Sequence, residues 1–109
     1  MLANAALLVM TSAPDKETAQ KIARALVERR LAACVNILAP CQSIYKWQGE
    51  VEDSNEIPML IKTTAARYGA LEAAITAIHP YDVPEIVALP LSHGLPEYLQ
   101  WVVAETHHD

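Results

Sequence analysis

"ACVNILAPCQSIYKWQGEVEDSNEIPMLIKTT", Ala33 to Thr64, holds a run rich in Val, Ile and Tyr up to Trp47, then Gln48-Gly49, then the run "EVEDSNEIPMLIKTT". A glycine-containing pair between two β-prone runs reads as a tight reversal, so the stretch is one hairpin. Its arms are long. At about 3.3 Å per residue an arm of about 14 residues reaches roughly 46 Å, whereas a sphere with the roughly 13 Å radius of gyration expected near 100 residues is only about 34 Å across. The tip therefore overhangs its own domain and carries Tyr45, Trp47 and Val51 into water unless another chain covers them. Pro40 and Pro58 lack N–H groups and mark bulges or outward edge positions in the two arms.

Upstream, "AALLVMTSA" is a short apolar run ended by a proline-marked turn, which reads as a buried strand. From Asp15 to Leu31 the residues Ala19, Ile22, Ala23, Leu26 and Val27 form one core-facing helical stripe; Asp15 and Glu17 suit its start, Arg29 and Arg30 its end. Downstream, Tyr68, Leu71, Ala74, Ile75 and Ile78 give a second helix over Ala65 to His79, stopped by Pro80. "EIVALPL" is a further strand, with Pro90 at an edge or break. "SHGLPEYLQWVVAETHHD" supplies a third helix, with Pro96 in its first turn, a stripe of Leu95, Tyr98, Leu99, Val102 and Val103, and Trp101 off that stripe as an intersubunit contact.

The order is β-α-β-β-α-β plus a C-terminal helix, an α+β, ferredoxin-like pattern that places both main helices on one face of an antiparallel sheet. The other face is bare. A bare apolar face and an overhanging hairpin both point to self-association.

With 109 residues the chain reads as one domain spanning 1–109. Its 52% hydrophobic content excludes disorder, and thirteen acids against eight bases, a net charge of −5, argue against nucleic acid as a partner. No apolar run approaches the length of about 20 residues that spans a membrane, and the N-terminal stretch lacks a secretory signal's pattern, so a cytoplasmic location is expected. Cys34 and Cys41 are seven apart, odd spacing that sends side chains of one regular strand to opposite faces and argues against a disulfide between them unless a bulge at Pro40 intervenes; each reads as a buried small hydrophobe in a reducing compartment.

Familiar catalytic and phosphate-binding motifs are missing. His79-Pro80-Tyr81-Asp82, followed by Glu85, is either a proline-fixed turn or a set of acid-base groups at a cleft. Lys62 is either a solvated strand-end cation or one aimed at an anionic ligand or at Glu85. Glu50, Glu52, Asp53 and Glu56 form an acidic cluster on the hairpin that reads as solvated, with weak capacity for Ca²⁺ or Mg²⁺. His107 and His108 could take up Cu²⁺ without structural purpose.

Taken together, "RRLAACVNI", "SIYKWQGEVED", "MLIKTT", "HPYDVPEIVALPL" and "GLPEYLQWV" resemble the CutA family of divalent-cation tolerance proteins over nearly the whole chain. The resemblance implies a PII-like homotrimer whose hairpins wrap neighbouring subunits, a cytosolic role in copper or other divalent-cation tolerance without enzymatic turnover, and no obligatory cofactor. It also implies an intersubunit cleft drawing on Lys62, Tyr81 and Glu85, with Trp47 and Tyr45 arriving from a hairpin. Two other readings stay open: a PII-like sensor of a small anionic ligand with Lys62 as the cation, and a hydrolase or lyase using His79, Tyr81 and Glu85. The copper site ascribed to some family members uses a first-strand cysteine and two adjacent histidines; here Thr11 and Ile78 stand at two of those positions, leaving His79 as the metal ligand. A hydroxyl and an alkyl group in place of thiolate and imidazole remove the strongest copper donors.

Overall fold

The structure, a computed structural model, describes residues 2–107, so the expectation for His108 lies outside the described residues. The elements are β1 (Ala6–Ala13), α1 (Lys16–Glu28), β2 (Cys34–Ile37), β3 (Cys41–Trp47), β4 (Glu50–Thr64), α2 (Ala65–Ile78), β5 (Ile86–Pro90) and α3 (Pro96–Glu105). The sheet runs β2-β4-β1-β5, with β3 also on β4, and every pairing is antiparallel. This is the expected ferredoxin-like α+β arrangement with its hairpin and terminal helix. Pro90 lies on the edge strand, where its missing N–H costs nothing.

Alternation along the strands sorts the residues. Val9 and Ala13 of β1 and Ile57, Met59 and Ile61 of β4 are buried with Ile22 and Leu26 of α1 and Leu71 and Ile75 of α2 in one core. The alternate residues, among them Leu8, Met10, Leu60, Val87 and Leu89, face the side without α1 and α2, and Met10, Val87 and Leu89 are exposed. Helix α3 covers only part of this side. It lies against β4 and β1, and burial, then the Cys34 thiol, push the Tyr98 phenol above its ordinary value.

The hairpin closes through Gln48 and Gly49, both left-handed at φ 51 and 84, the pairing that matches strand twist. Its first arm is in two pieces. Ile37 faces Met59 but Cys41 faces Glu56, so four residue steps oppose three and one residue bulges out between them. The Pro58 carbonyl accepts from the Leu38 N–H at 3.0 Å. N–H and C=O of one antiparallel residue point the same way, so the missing donor of Pro58 falls at this break. Strand β4 continues through it for 15 residues, and the molecule extends 44 Å along one axis against 26 and 23 Å along the others.

Three expectations need correction. Val27 is 44% exposed, because it lies about 100° round the helix from Leu26 at the rim of the stripe. Neither cysteine is buried: Cys34 is half-buried on the outward side of β2, Cys41 is exposed on the ribbon, and both thiols are free. Arg30 serves a different helix from the one it follows. It is left-handed at φ 58, and its guanidinium donates to the Ala104 and His107 carbonyls at 2.8 and 3.2 Å, satisfying the end of α3. No helix among the described residues is long and apolar enough to cross a membrane.

Asp15 caps α1 by accepting the Thr18 N–H at 2.7 Å, and hydrogen bonding to Thr18 holds its carboxyl below the ordinary range. A depressed folded-state value gives stability that is complete above the ordinary carboxylate range and lost as pH falls through the folded value. Asp15→Ala is therefore expected to lower the melting temperature near neutral pH, with the gap to the parent chain closing in strong acid. A gap independent of pH would remove the charged cap as its cause.

Candidate functional site

A cleft of about 660 Å³ opens between the hairpin and the turn joining α2 to β5. The hairpin wall comes from β3, where Ser43, Tyr45 and Trp47 alternate and so share one ribbon face, and Ile44 between them also lines the cleft. Tyr45 is steadied from across the ribbon, its hydroxyl 3.2 Å from that of Ser54. The opposite wall holds Tyr81, Asp82, Val83 and Glu85, and Ser12 and Glu56 contribute from the sheet.

His79 fixes the turn to the sheet. Its backbone N–H closes α2 on the Ile75 carbonyl at 2.8 Å, and Pro80 prevents another helical turn. Only 7% exposed, its ring donates from Nε2 to the Ser12 carbonyl at 2.7 Å and accepts the Tyr81 N–H on Nδ1 at 3.1 Å. One neutral tautomer satisfies both bonds. The Tyr81 ring lies 4.7 Å from it, tilted by 56°.

Glu56 is the buried charge of the cleft, 8% exposed, and it accepts from the Ser12 hydroxyl at 3.1 Å. Burial, then the negative charge of Glu56, and after it Tyr45 and Asp15, push the Tyr81 phenol above its ordinary value. It therefore stays a protonated donor at neutral pH. Glu56, Asp82 and Glu85 give the lining three carboxylates, and among the described residues no lysine or arginine joins them.

The structure thus brings together Tyr45, Trp47, Tyr81 and Glu85, all from one chain. Lys62 stands outside the cleft, opposite Cys34 in the ladder, with its ammonium on the Asn36 side-chain oxygen. His79 lies behind the cleft with both ring nitrogens engaged. Thr11 is buried with its hydroxyl unpartnered, and Ile78 packs on the core. Among the described residues no three His, Cys, Asp or Glu side chains gather closely enough to hold a metal ion.

Ser12 and the inward role of Glu56 were not legible from the pattern of the sequence. A signal for Glu56 does exist: Pro58 marks where the first arm breaks, so a residue two positions away sits at the sheet rim and not at the ribbon tip.

A family model described as CutA1 divalent ion tolerance protein matches residues 7–105. The divalent-cation tolerance protein CutA of Thermus thermophilus is 50% identical over 99 residues, covering 91% of this chain and 96% of that protein. Human protein CutA is 47% identical over 89 residues, covering 82% of this chain but 50% of the relative, so the chain spans about half the length of that protein. A solved structure of the Thermus thermophilus divalent cation tolerance protein superposes with a TM-score of 0.92 at 49% identity, covering 94% of this chain and 99% of the other. That of the periplasmic divalent cation tolerance protein CutA from Archaeoglobus fulgidus gives 0.91 at 35% identity, covering 94% and 99%.

Proposed function

This chain belongs to the CutA1 divalent ion tolerance protein family, and from that premise we propose that it is a non-enzymatic, homotrimeric, cytoplasmic protein that binds divalent cations in the acidic cleft. The observation that carries this reading is the lining of the cleft: Glu56, Asp82 and Glu85 without a base. Carboxylates suit hard divalent cations, and an anionic ligand would meet repulsion there with Lys62 held elsewhere.

The donor set disfavours copper as the preferred ion. Thr11 replaces a thiolate, and a metal at His79 would have to displace either the Ser12 or the Tyr81 bond. The same engagement leaves the imidazole no free lone pair for general-base work, which supports the absence of turnover. Because one chain gathers fewer than three close donors among its described residues, water or a neighbouring copy completes the coordination.

Titration of the metal-free protein with Mn²⁺ and with Cu²⁺ tests the reading. Mn²⁺ is expected to bind with modest affinity, and Glu85→Gln to weaken it about tenfold, equivalent to about 1.4 kcal/mol. Cu²⁺ uptake should fall mostly on removal of the His107-His108 tail. Tight stoichiometric copper surviving that truncation would place the metal elsewhere, and Mn²⁺ affinity indifferent to the cleft carboxylates would end the proposal.

A further inference from the structure

At the end of β4 remote from the hairpin lies a second cavity, of about 230 Å³, and its chemistry is the reverse of the cleft's. Asn4, Thr64, Arg67 and His107 line it, and among the described residues no carboxylate joins them. Each of these side chains can donate a hydrogen bond. The carbonyls on either side of Asn4, those of Ala3 and Ala5, accept the Ala66 and Ala65 N–H groups at 2.8 and 2.9 Å, which pins the N-terminal segment over the start of α2. Arg67 donates from Nε to the Arg30 carbonyl at 3.3 Å, an attachment by one edge that leaves its terminal nitrogens to a ligand. Arg30 in turn donates to the His107 carbonyl at 3.2 Å, so a second guanidinium stands beside that residue.

Thr64 marks the cavity as a place for a ligand. It is only 2% exposed and directly precedes α2, yet its side chain makes no capping hydrogen bond. Neighbouring buried threonines are satisfied by the backbone: the Thr63 hydroxyl donates to the Leu31 carbonyl at 2.6 Å, and that of Thr106, in the wall of the same cavity, to the Val102 carbonyl at 2.7 Å. Thr64 has no such partner among the described residues, and its hydroxyl opens on the cavity instead of being sealed in like that of Thr11. A buried hydroxyl left unpaired is costly, and an acceptor oxygen entering the cavity relieves it. We propose that the cavity binds a phosphate oxyanion, with the Arg67 guanidinium and the Thr64 hydroxyl as its principal donors and the Asn4 amide and His107 imidazole completing the shell. A tetrahedral anion offers acceptors in several directions at once, and a guanidinium meets two of them with paired N–H groups. The positive end of α2 adds to the field, but two of its amides are spent on Ala3 and Ala5, so side chains carry the recognition.

The cavity shares no residue with the cleft, and it also stands apart from the proposed assembly, which draws on Met10, Val87, Leu89 and the hairpin. The test therefore uses the assembled, metal-free full chain. It is titrated with sodium phosphate and with glycerol 3-phosphate at constant ionic strength, with glycerol as the neutral probe, and followed by ¹H–¹⁵N spectra. Both phosphates are expected to shift the Asn4, Thr64 and Arg67 amides to saturation, and glycerol is not. Tighter binding of glycerol 3-phosphate assigns a phosphomonoester, and any other order assigns the free ion. Thr64→Val removes the hydroxyl alone and should weaken phosphate about fivefold without lowering the melting temperature in its absence, because that hydroxyl supports nothing in the chain. Arg67→Gln should weaken it at least about tenfold. The absence of a saturating shift at these residues, an equal response to glycerol, or phosphate affinity unchanged in both variants would overturn the proposal.

Discussion

His79→Ala should lower folding stability by about 3 kcal/mol in metal-free buffer, because it leaves two backbone groups unpaired and opens a void, each unpaired group costing about 1–3 kcal/mol when buried. The groups are the Ser12 carbonyl at the end of β1 and the Tyr81 N–H in the turn after α2, joined through this imidazole. The loss should be local in origin. Without the ring, Tyr81 loses both its backbone anchor and its aromatic neighbour, and the wall carrying Asp82 and Glu85 is released with it. A urea midpoint that falls at unchanged slope, compared at equal protein concentration, would register the cost. His79→Gln, whose amide can still donate toward Ser12, is expected to recover part of it. A His79→Ala protein with parental stability that loses only metal would instead make His79 a ligand first and a structural pin second.

That imidazole illustrates which parts of the molecule were legible in the sequence. Gln48-Gly49 between two β-prone runs locates the hairpin because turn chemistry is local, and the arms' length alone forecasts the overhang. Pro40 and Pro58 locate the break in the first arm for the same reason: a missing donor restricts where a residue sits in a ladder. Contacts that depend on register were harder. Ser12 lies 44 positions from Glu56 and 67 from His79, and no periodicity in either segment indicates that they meet. Glu56 looked like one more solvated acid among Glu50, Glu52 and Asp53. Only the pairing of Ser12 with Pro58 in the β1–β4 ladder brings Glu56, two residues farther along β4, within reach of the Ser12 hydroxyl. Lys62 is the opposite case: the family resemblance assigns it to an intersubunit cleft, whereas within one chain it lies opposite Cys34, six residues along β4 from Glu56 and away from the cleft that Glu56 lines.

Met10→Asp should dissociate the proposed trimer. Met10 sits at the centre of the side without α1 and α2, paired with Leu60 on β4 and Val87 on β5, and it is 36% exposed in the single chain. An aspartate there costs an isolated protomer little, since water reaches the site. Covered by a second copy it becomes an unpaired buried charge, which costs several kcal/mol and weakens association by at least about a hundredfold per interface. Surface position and assembly therefore make opposite forecasts. Exposed Leu89, Val87 and Leu38 extend the same patch, and the hairpin tip adds Val51 and Ile44, so a monomer in water would carry an apolar area that soluble proteins rarely leave open. Sedimentation equilibrium of Met10→Asp is expected to show a monomer where the parent chain shows a trimer, with circular dichroism confirming that the fold survives. A parent chain that is itself monomeric at micromolar concentration would remove the trimer, and a Met10→Asp protein that stays trimeric would move the interface off this side of the sheet and onto the hairpin alone.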